Sequence, residues 1–288
     1  MNQLTVKAYA KINLFLDIKN LREDGYHNLE MVMQSISLHD TITLYKKDNG
    51  IKIETNHSKL TNGEENLAYK AAQAVINRTK LAQGIKIFID KKIPIAAGLA
   101  GGSTDAAAVI NGMNKLYDLN LGEKEIHNIA FEIGSDVPFC LKGGTAFATK
   151  RGEKLRYLRP LKKHKVLLVK PPEMVSTKKV YNLYDEYNIS KDIPVKKLLD
   201  IINNNKELNI EDGWANVLEL ITKRLVPDVK IIKDKLLDQG FKFTMMTGSG
   251  PTVFSLLDKK DIDLAYNVIN NWPRTDDFIT LTETKNFN

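Results

Sequence analysis

The segment Pro94-Ile95-Ala96-Ala97-Gly98-Leu99-Ala100-Gly101-Gly102-Ser103-Thr104-Asp105 is built mostly of small side chains and lies between a strand-like and a helix-like run. Small side chains let a ligand approach the main chain, and the first amides of a helix have no acceptor of their own. The helix dipole favours negative charge at the same place, so the pattern suits a phosphate group. Ser103 and Thr104 add hydroxyl groups that could donate to phosphate or face a magnesium ion. The same residues would equally serve a tight strand–helix joint. A Walker loop needs Gly-Lys-Ser/Thr and a dinucleotide fingerprint needs G-x-G-x-x-G, and neither is present.

Other residues stand out more weakly. A second glycine turn, Met246-Thr247-Gly248-Ser249-Gly250-Pro251-Thr252, reads as a hairpin turn, or as a partner of the first loop around one polyanion. Lys11 and Asn13 share one face of a strand while Ile12 and Leu14 take the other. A buried ammonium there needs an anionic partner; a solvated edge strand does not. Asp136, within Gly134-Ser135-Asp136-Val137-Pro138, is a general-base candidate, a partner for Lys11, or a turn former. Tyr26-His27, after the turn Asp24-Gly25, could stack on and hydrogen-bond a base, or simply pack.

Several chemistries are excluded. The five histidines show no metal-ligand spacing, and no G-x-S-x-G elbow or protein-kinase motif set is present. The single cysteine, Cys140, reads as a core residue and fits a reducing compartment. Of 288 residues, 42 are Lys or Arg and 35 Asp or Glu, a net charge of +7 that favours anionic partners. The cations are scattered in pairs without zinc-finger or RNA-recognition signatures, so nucleic acid is not the expected partner. No apolar run approaches the ~18 residues of a membrane span. The N-terminus lacks an apolar export segment, so a cytoplasmic location and no membrane partner are expected.

Elements that must position these residues follow from periodicity. Strands are expected over residues 11–19, 29–38, 40–45, 85–89, 145–149, 166–169, 243–246 and 252–257. Helices are expected over 66–80, 103–116, 123–133, 177–187, 195–203, 214–224 and 228–239, with Ser103, Thr104 and Asp105 supplying the cap chemistry of the second. A charged stretch over 151–165 suggests a domain boundary. Strands and helices neither alternate strictly nor repeat as βαβ units, which indicates an α+β fold.

With these residues in place, a family resemblance is visible. Residues 94–104 resemble the P-x-x-x-G-L-x-G-G-S-S ATP loop of the GHMP small-molecule kinases. Thr247-Gly248-Ser249-Gly250-Pro251 resembles that family's C-terminal glycine motif. Ala8-Tyr9-Ala10-Lys11-Ile12-Asn13-Leu14, Arg22-Glu23-Asp24-Gly25-Tyr26-His27, the stretch around Asp136 and the second glycine turn follow in family order over nearly the whole chain. They are similar to motifs of members that act on cytidyl diphosphate methylerythritol.

The resemblance implies a two-domain α+β GHMP kinase fold, with residues 1–155 forming the ATP-binding domain, 156–288 the C-terminal domain, and the active site in the cleft between. It implies ATP as phosphoryl donor, accompanied by Mg2+ without a fixed set of protein ligands, and transfer to the tertiary 2-hydroxyl of the small-molecule acceptor. By position Asp136 is the base and Lys11 its charge-neutralising partner. Tyr26 and His27 match residues that stack on and read the cytosine, with Asn13, Thr177, Tyr181 and Gly248 on the same substrate side. Asn66, Lys92 and Asp105 match the adenosine side, Asp105 facing either nucleoside or metal. Ala96, Ala97 and Ala100 depart from positions often filled by Gly, and close approach is expected to survive if their φ stays negative. A monomer or homodimer is expected.

Overall fold

The computed structural model describes residues 1–187 and 194–287. By packing, the chain divides into two compact units, each assembled from separate stretches. The first comprises Met1–Ala10, Leu38–Ile95 and Ala100–Gly143; the second comprises Lys11–Ser37, Ala96–Leu99 and Gly144–Asn288. Two long strands, β1 (Gln3–Leu21) and β2 (His27–Lys47), pair with each other and contribute to both units. The runs expected separately at 29–38 and 40–45 are thus one strand, because Leu38 and His39 continue it without a turn residue.

The first unit adds β3 (Ile51–Thr55), α1 (Leu67–Thr79), β4 (Gly84–Asp90), α2 (Gly101–Leu116), α3 (Glu123–Ile133) and α4 (Val137–Lys142). β4 pairs antiparallel with residues 41–47 of β2 and parallel with β3, and α1 provides the crossover that a parallel pair requires. Along β4, Ile85, Ile87 and Ile89 are fully buried while the residues between them are only partly so, the period-two pattern of a one-sided core strand. Alanines let α1 and α2 pack closely: Ala68, Ala71 and Ala72 on one, Ala106, Ala107 and Ala108 on the other. At Gly112 an added Cβ would stand 2.4 Å from Leu44 Cδ1, so the helix lies directly on the sheet there. α4 was not apparent from the sequence, since Pro138 reads as a breaker; in a first turn proline is tolerated because that N–H has no acceptor anyway.

The second unit contains β5 (Thr145–Lys150), β6 (Lys154–Tyr157), β7 (Lys165–Lys170), α5 (Thr177–Glu186), α6 (Lys196–Asn203), α7 (Glu219–Leu225), α8 (Asp228–Asp238), β8 (Phe243–Met246), β9 (Val253–Leu257), α9 (Ile262–Asn270) and β10 (Phe278–Glu283). β5 pairs with residues 29–34 of β2 and with β6. An antiparallel sheet of order β10-β7-β9-β8 forms the rest, with β8 and β9 buried throughout. The helix expected over 214–224 begins only at Glu219. Before it, the chain bridges β1: Leu16 N–H donates to Ala215 O (2.9 Å) and Val217 N–H to Leu16 O (3.0 Å).

Candidate functional site

The turn between β8 and β9 is wholly buried, so its polar backbone must be satisfied from within the protein. Gly250 N–H donates to Thr247 O (2.9 Å), and Thr247 N–H donates to Thr252 O (3.0 Å). Asn216 Nδ2 donates to the carbonyls of Met246 (2.9 Å) and Gly248 (2.7 Å), and Thr222 Oγ1 donates to Ser249 O (3.0 Å). Against this turn lies the segment Ala96–Leu99. At Gly98, φ is +74° and a Cβ would stand 2.2 Å from Thr247 O; at Gly248, φ is +57° and a Cβ would stand 2.8 Å from Gly98 O. Only glycine fits at either place, so the two glycine motifs interlock main chain to main chain. The expectation of negative φ at the neighbouring alanines is corrected at two of them. Ala96 sits at φ 49° and Ala100 at φ 58°, a conformation that costs an L-residue roughly 1–2 kcal/mol.

Lys11 lies beside this assembly in β1, buried, with its N–H donating to Leu99 O (3.2 Å). Its Nζ donates to Asn13 Oδ1 (2.6 Å). An ammonium only donates, so the Asn13 oxygen faces it and the amide nitrogen points elsewhere. That Nδ2 is buried with no partner among the described residues, while Asn13 N–H donates to Thr247 Oγ1 (2.9 Å). The expected two-faced strand is in fact buried on both faces here: Ile12 and Leu14 are as enclosed as Lys11 and Asn13. The result is a cation and a spare amide donor next to the glycine turn, a set suited to an anionic ligand.

In the first unit, α2 starts at Gly101, two residues before the expected start. Ala100 at its N-cap offers no side-chain acceptor, so the first amides are left to a ligand or water. Ser103, Thr104 and Asp105 therefore do not cap it: Thr104 Oγ1 donates to Tyr9 O (2.8 Å), and Asp105 turns inward. Asp105 Oδ2 accepts from Lys91 Nζ (2.9 Å), and Lys91 also bonds Asp40. Burial pushes Asp105 up to about 7 against the pull of Lys91, and Asp40 adds to the rise. Burial opposes the Lys91 charge, yet the two carboxylates outweigh it and raise its pKa. Lys92, the adenosine-side expectation, is exposed. Asn66 caps α1, accepting from Ala68 N–H (2.9 Å) and donating to Thr61 O (2.8 Å). Asp136 is partly buried between Gly134 and α4; its carbonyl accepts from Cys140 N–H (3.2 Å), and its side chain does not cap that helix.

The remaining expected residues gather around α5 in the second unit. Thr177, Tyr181 and Asp185 recur every four residues and so share one helix face. Thr177 Oγ1 hydrogen-bonds Ser249 Oγ (2.8 Å) at the glycine turn. Further along, Tyr181 stacks at 5.6 Å on His27, and Asp185 Oδ1 meets His27 Nε2 at 2.8 Å. A carboxylate accepts, so Nε2 carries a proton toward Asp185, and the tautomer with Nδ1 bare offers that nitrogen as an acceptor. Tyr26 is 52% exposed, with the Arg151 guanidinium 3.5 Å from its ring centroid, so one ring face is covered and the other can take a base. Arg151, Asp185, Lys91, Asp40 and Asn216 were not singled out by sequence. Each is a common polar residue in an unremarkable run, and only the folded contacts give it meaning. Among the described residues, no group of three or more His, Cys, Asp or Glu could hold a metal ion.

Comparison with known proteins converges on one family. Residues 66–144 match the model for the GHMP kinases N terminal domain, and 196–274 match GHMP kinases C terminal. A 4-diphosphocytidyl-2-C-methyl-D-erythritol kinase of Clostridium tetani (strain Massachusetts / E88) is 44% identical over 90% of this chain and 92% of that protein. The like-named protein of Caldanaerobacter subterraneus subsp. tengcongensis is 43% identical over 98% of this chain and 97% of its own. A crystal structure of 4-(cytidine 5'-diphospho)-2C-methyl-D-erythritol kinase superposes with a TM-score of 0.80 at 30% identity, covering 98% of this chain and 100% of that one.

Proposed function

The chain belongs to the GHMP kinase family, and from that premise we propose that it transfers the γ-phosphoryl group of ATP to the 2-hydroxyl of 4-diphosphocytidyl-2-C-methyl-D-erythritol. The products are ADP and the 2-phosphate, an intermediate of non-mevalonate isoprenoid synthesis. The observation that carries this reading is the pair of interlocked glycine turns beside buried Lys11 and the unpartnered Asn13 amide, in a chain alike over nearly its full length to proteins of that name.

Phosphoryl transfer asks a protein mainly to position groups and neutralise charge. The residues present fit a nucleotide polyphosphate: uncapped amides open α2, and the glycine turns let main chain stand close to a ligand. We assign Pro94, Ile95, Ala96, Ala97, Gly98, Leu99, Ala100, Gly101, Gly102, Ser103 and Thr104 to the phosphates, with Asn66 and Lys92 flanking the nucleoside side; Asp105, buried against Lys91, does not face the nucleotide. Mg2+, entering with ATP, would neutralise charge on the triphosphate oxygens. Lys11 offsets the negative charge of the acceptor hydroxyl as its proton leaves, and Asp136 accepts that proton. Asn13 and Gly248 bound the substrate side with Thr177 and Tyr181. Tyr26 offers its uncovered face to the cytosine, and His27 Nδ1 accepts from its exocyclic amine. The protein acts on this small molecule in the cytoplasm, without membrane or nucleic acid.

The test is ADP release with Mg·ATP, comparing this acceptor with homoserine and mevalonate in wild type and Asp136→Asn. The expected result is turnover with the cytidyl acceptor alone and a fall of about 10²–10⁴ in kcat for the variant, the range for a general base. Turnover only with another acceptor would discard the cytosine assignment, and near-full activity of Asp136→Asn would make Asp136 structural.

A further inference from the structure

One buried cluster holds both flanks of the loop that runs from Pro94 to α2. Upstream, Asp40 Oδ1 accepts the N–H groups of Lys92 (2.6 Å) and Ile93 (2.8 Å), the residues just ahead of Pro94. Downstream, Lys91 Nζ donates to Asp105 Oδ2 (2.9 Å) in the second turn of α2. The same ammonium lies so close to Gly101 that a Cβ there would stand 2.9 Å from Nζ. Asp40 and Lys91 bond each other directly, and Lys91 N–H is fixed by Asn56 Oδ1 (2.8 Å). The three charged side chains are 0–3% exposed.

Stability alone does not account for such a cluster. Burying a cation with two carboxylates carries a large desolvation cost, and apolar residues of similar volume often serve as well or better. Here Asp105 Oδ1 is also left buried without a hydrogen-bond partner among the described residues. What the cluster does achieve is geometric: one cation and one carboxylate tie the chain before Pro94 and the first turns of α2 to a common point.

We propose that Lys91, Asp40 and Asp105 are positioning residues of the nucleotide-phosphate loop, fixing its two ends so that the opening amides of α2 are aimed before ATP binds. This rests on the kinase reading above. Preorganisation of this kind improves affinity by removing the ordering cost of binding. It also sets a charge balance beneath those amides. With Asp105 protonated the cluster is neutral, and with Asp105 ionised it is net negative and opposes a phosphate. The charged groups facing Asp105 are Lys91, from the segment after β4, and Asp40, from β2. That burial holds Asp105 near neutrality agrees with the protonated, neutral form being accessible.

The experiment measures the ATP Kd by calorimetry without acceptor, together with KM for ATP and kcat, in wild type, Lys91→Met, Asp105→Ala and Asp105→Asn. Folding of each is checked by circular dichroism. Lys91→Met and Asp105→Ala should raise Kd and KM for ATP about tenfold, the scale of one charge-assisted hydrogen bond, with kcat at saturating ATP changed less than about threefold. Asp105→Asn keeps the shape and an acceptor for Lys91, and should stay within about twofold of wild type. If Lys91→Met does not fold, the contrast between Asp105→Ala and Asp105→Asn decides. Folded Asp105→Ala that binds ATP as wild type does, or that loses kcat with KM unchanged, overturns the proposal. Wild type that binds no ATP removes the kinase reading and the proposal with it, whereas normal wild-type binding with indifferent variants removes only the positioning role.

Discussion

Gly98→Ala tests the interlocked turns directly, because its cost can be worked from the contacts. A β-carbon at residue 98 would meet Thr247 O at 2.2 Å, Gly250 N at 3.0 Å and Gly250 O at 3.2 Å. All three atoms are main chain, in a turn held by the Asn216 and Thr222 hydrogen bonds, so relief requires a backbone shift of about 1 Å. Overpacking of this kind costs roughly 1–3 kcal/mol. The φ of +74° adds roughly 1–2 kcal/mol for any L-residue. Against this, alanine stiffens the unfolded chain and returns about 0.4–1 kcal/mol. The net loss is about 2–4 kcal/mol, which for a chain of this size lowers Tm by about 5–15 °C. Gly213→Ala is the control: its φ is +100° but nothing lies within 4 Å of the added carbon, so it carries the conformational cost without the clash. Scanning calorimetry on both variants separates the terms. Should Gly98→Ala melt within about 2 °C of Gly213→Ala, the close approach of the two turns would be refuted.

Ala100→Gly should have the opposite sign. Relief of the left-handed strain at φ 58° outweighs the added unfolded-state freedom, and a gain of about 0.5–1 kcal/mol is expected in urea denaturation. Thr247→Ala strands the buried N–H of Asn13 and should cost about 1–3 kcal/mol, while Thr247→Ser, which keeps the oxygen, restores most of it in the same assay. Asp105 makes stability fall as pH rises: the folded protein holds a proton up to about 7 that the unfolded chain releases near 3.8. The difference in urea midpoint between wild type and Asp105→Asn should therefore drift against wild type from about pH 4 to about pH 7 and be level outside that window; a pH-independent difference would show that Asp105 holds no such proton.

The parts of this fold legible in the sequence are those with local causes. Small residues between a strand and an alanine-rich helix announce the 94–105 loop whatever else surrounds it, and isoleucine at every second position announces β4. Other features depend on distant contacts. Nothing in Lys91-Lys92 says which ammonium turns inward, since that is set by Asp40 accepting from Lys92 N–H and by Asp105 one helix away. The left-handed alanines at 96 and 100 were invisible for a similar reason: local preference opposes that conformation, and the loop's packing overrides it. β10 carries only a four-residue alternation, Ile279-Thr280-Leu281-Thr282, too short to stand out, and none of its residues is fully buried. The motif residues Lys11, Asn13, Tyr26 and His27 were visible, but Arg151 over Tyr26 and Asp185 on His27 come from chain segments far away.

α5 acts as a gauge between the glycine turn and the aromatic pocket. Thr177 and Asp185 are eight residues apart along it, about 12 Å at 1.5 Å per residue, with Tyr181 midway on the same side. A residue inserted between Thr177 and Tyr181 would swing the latter about 100° around the axis while Thr177 kept its hold on Ser249. The register of this helix is therefore more constrained than its composition: the outward positions, Lys178, Lys179 and Asn182, are free to drift, but a single-residue change in length would dismantle the support of His27.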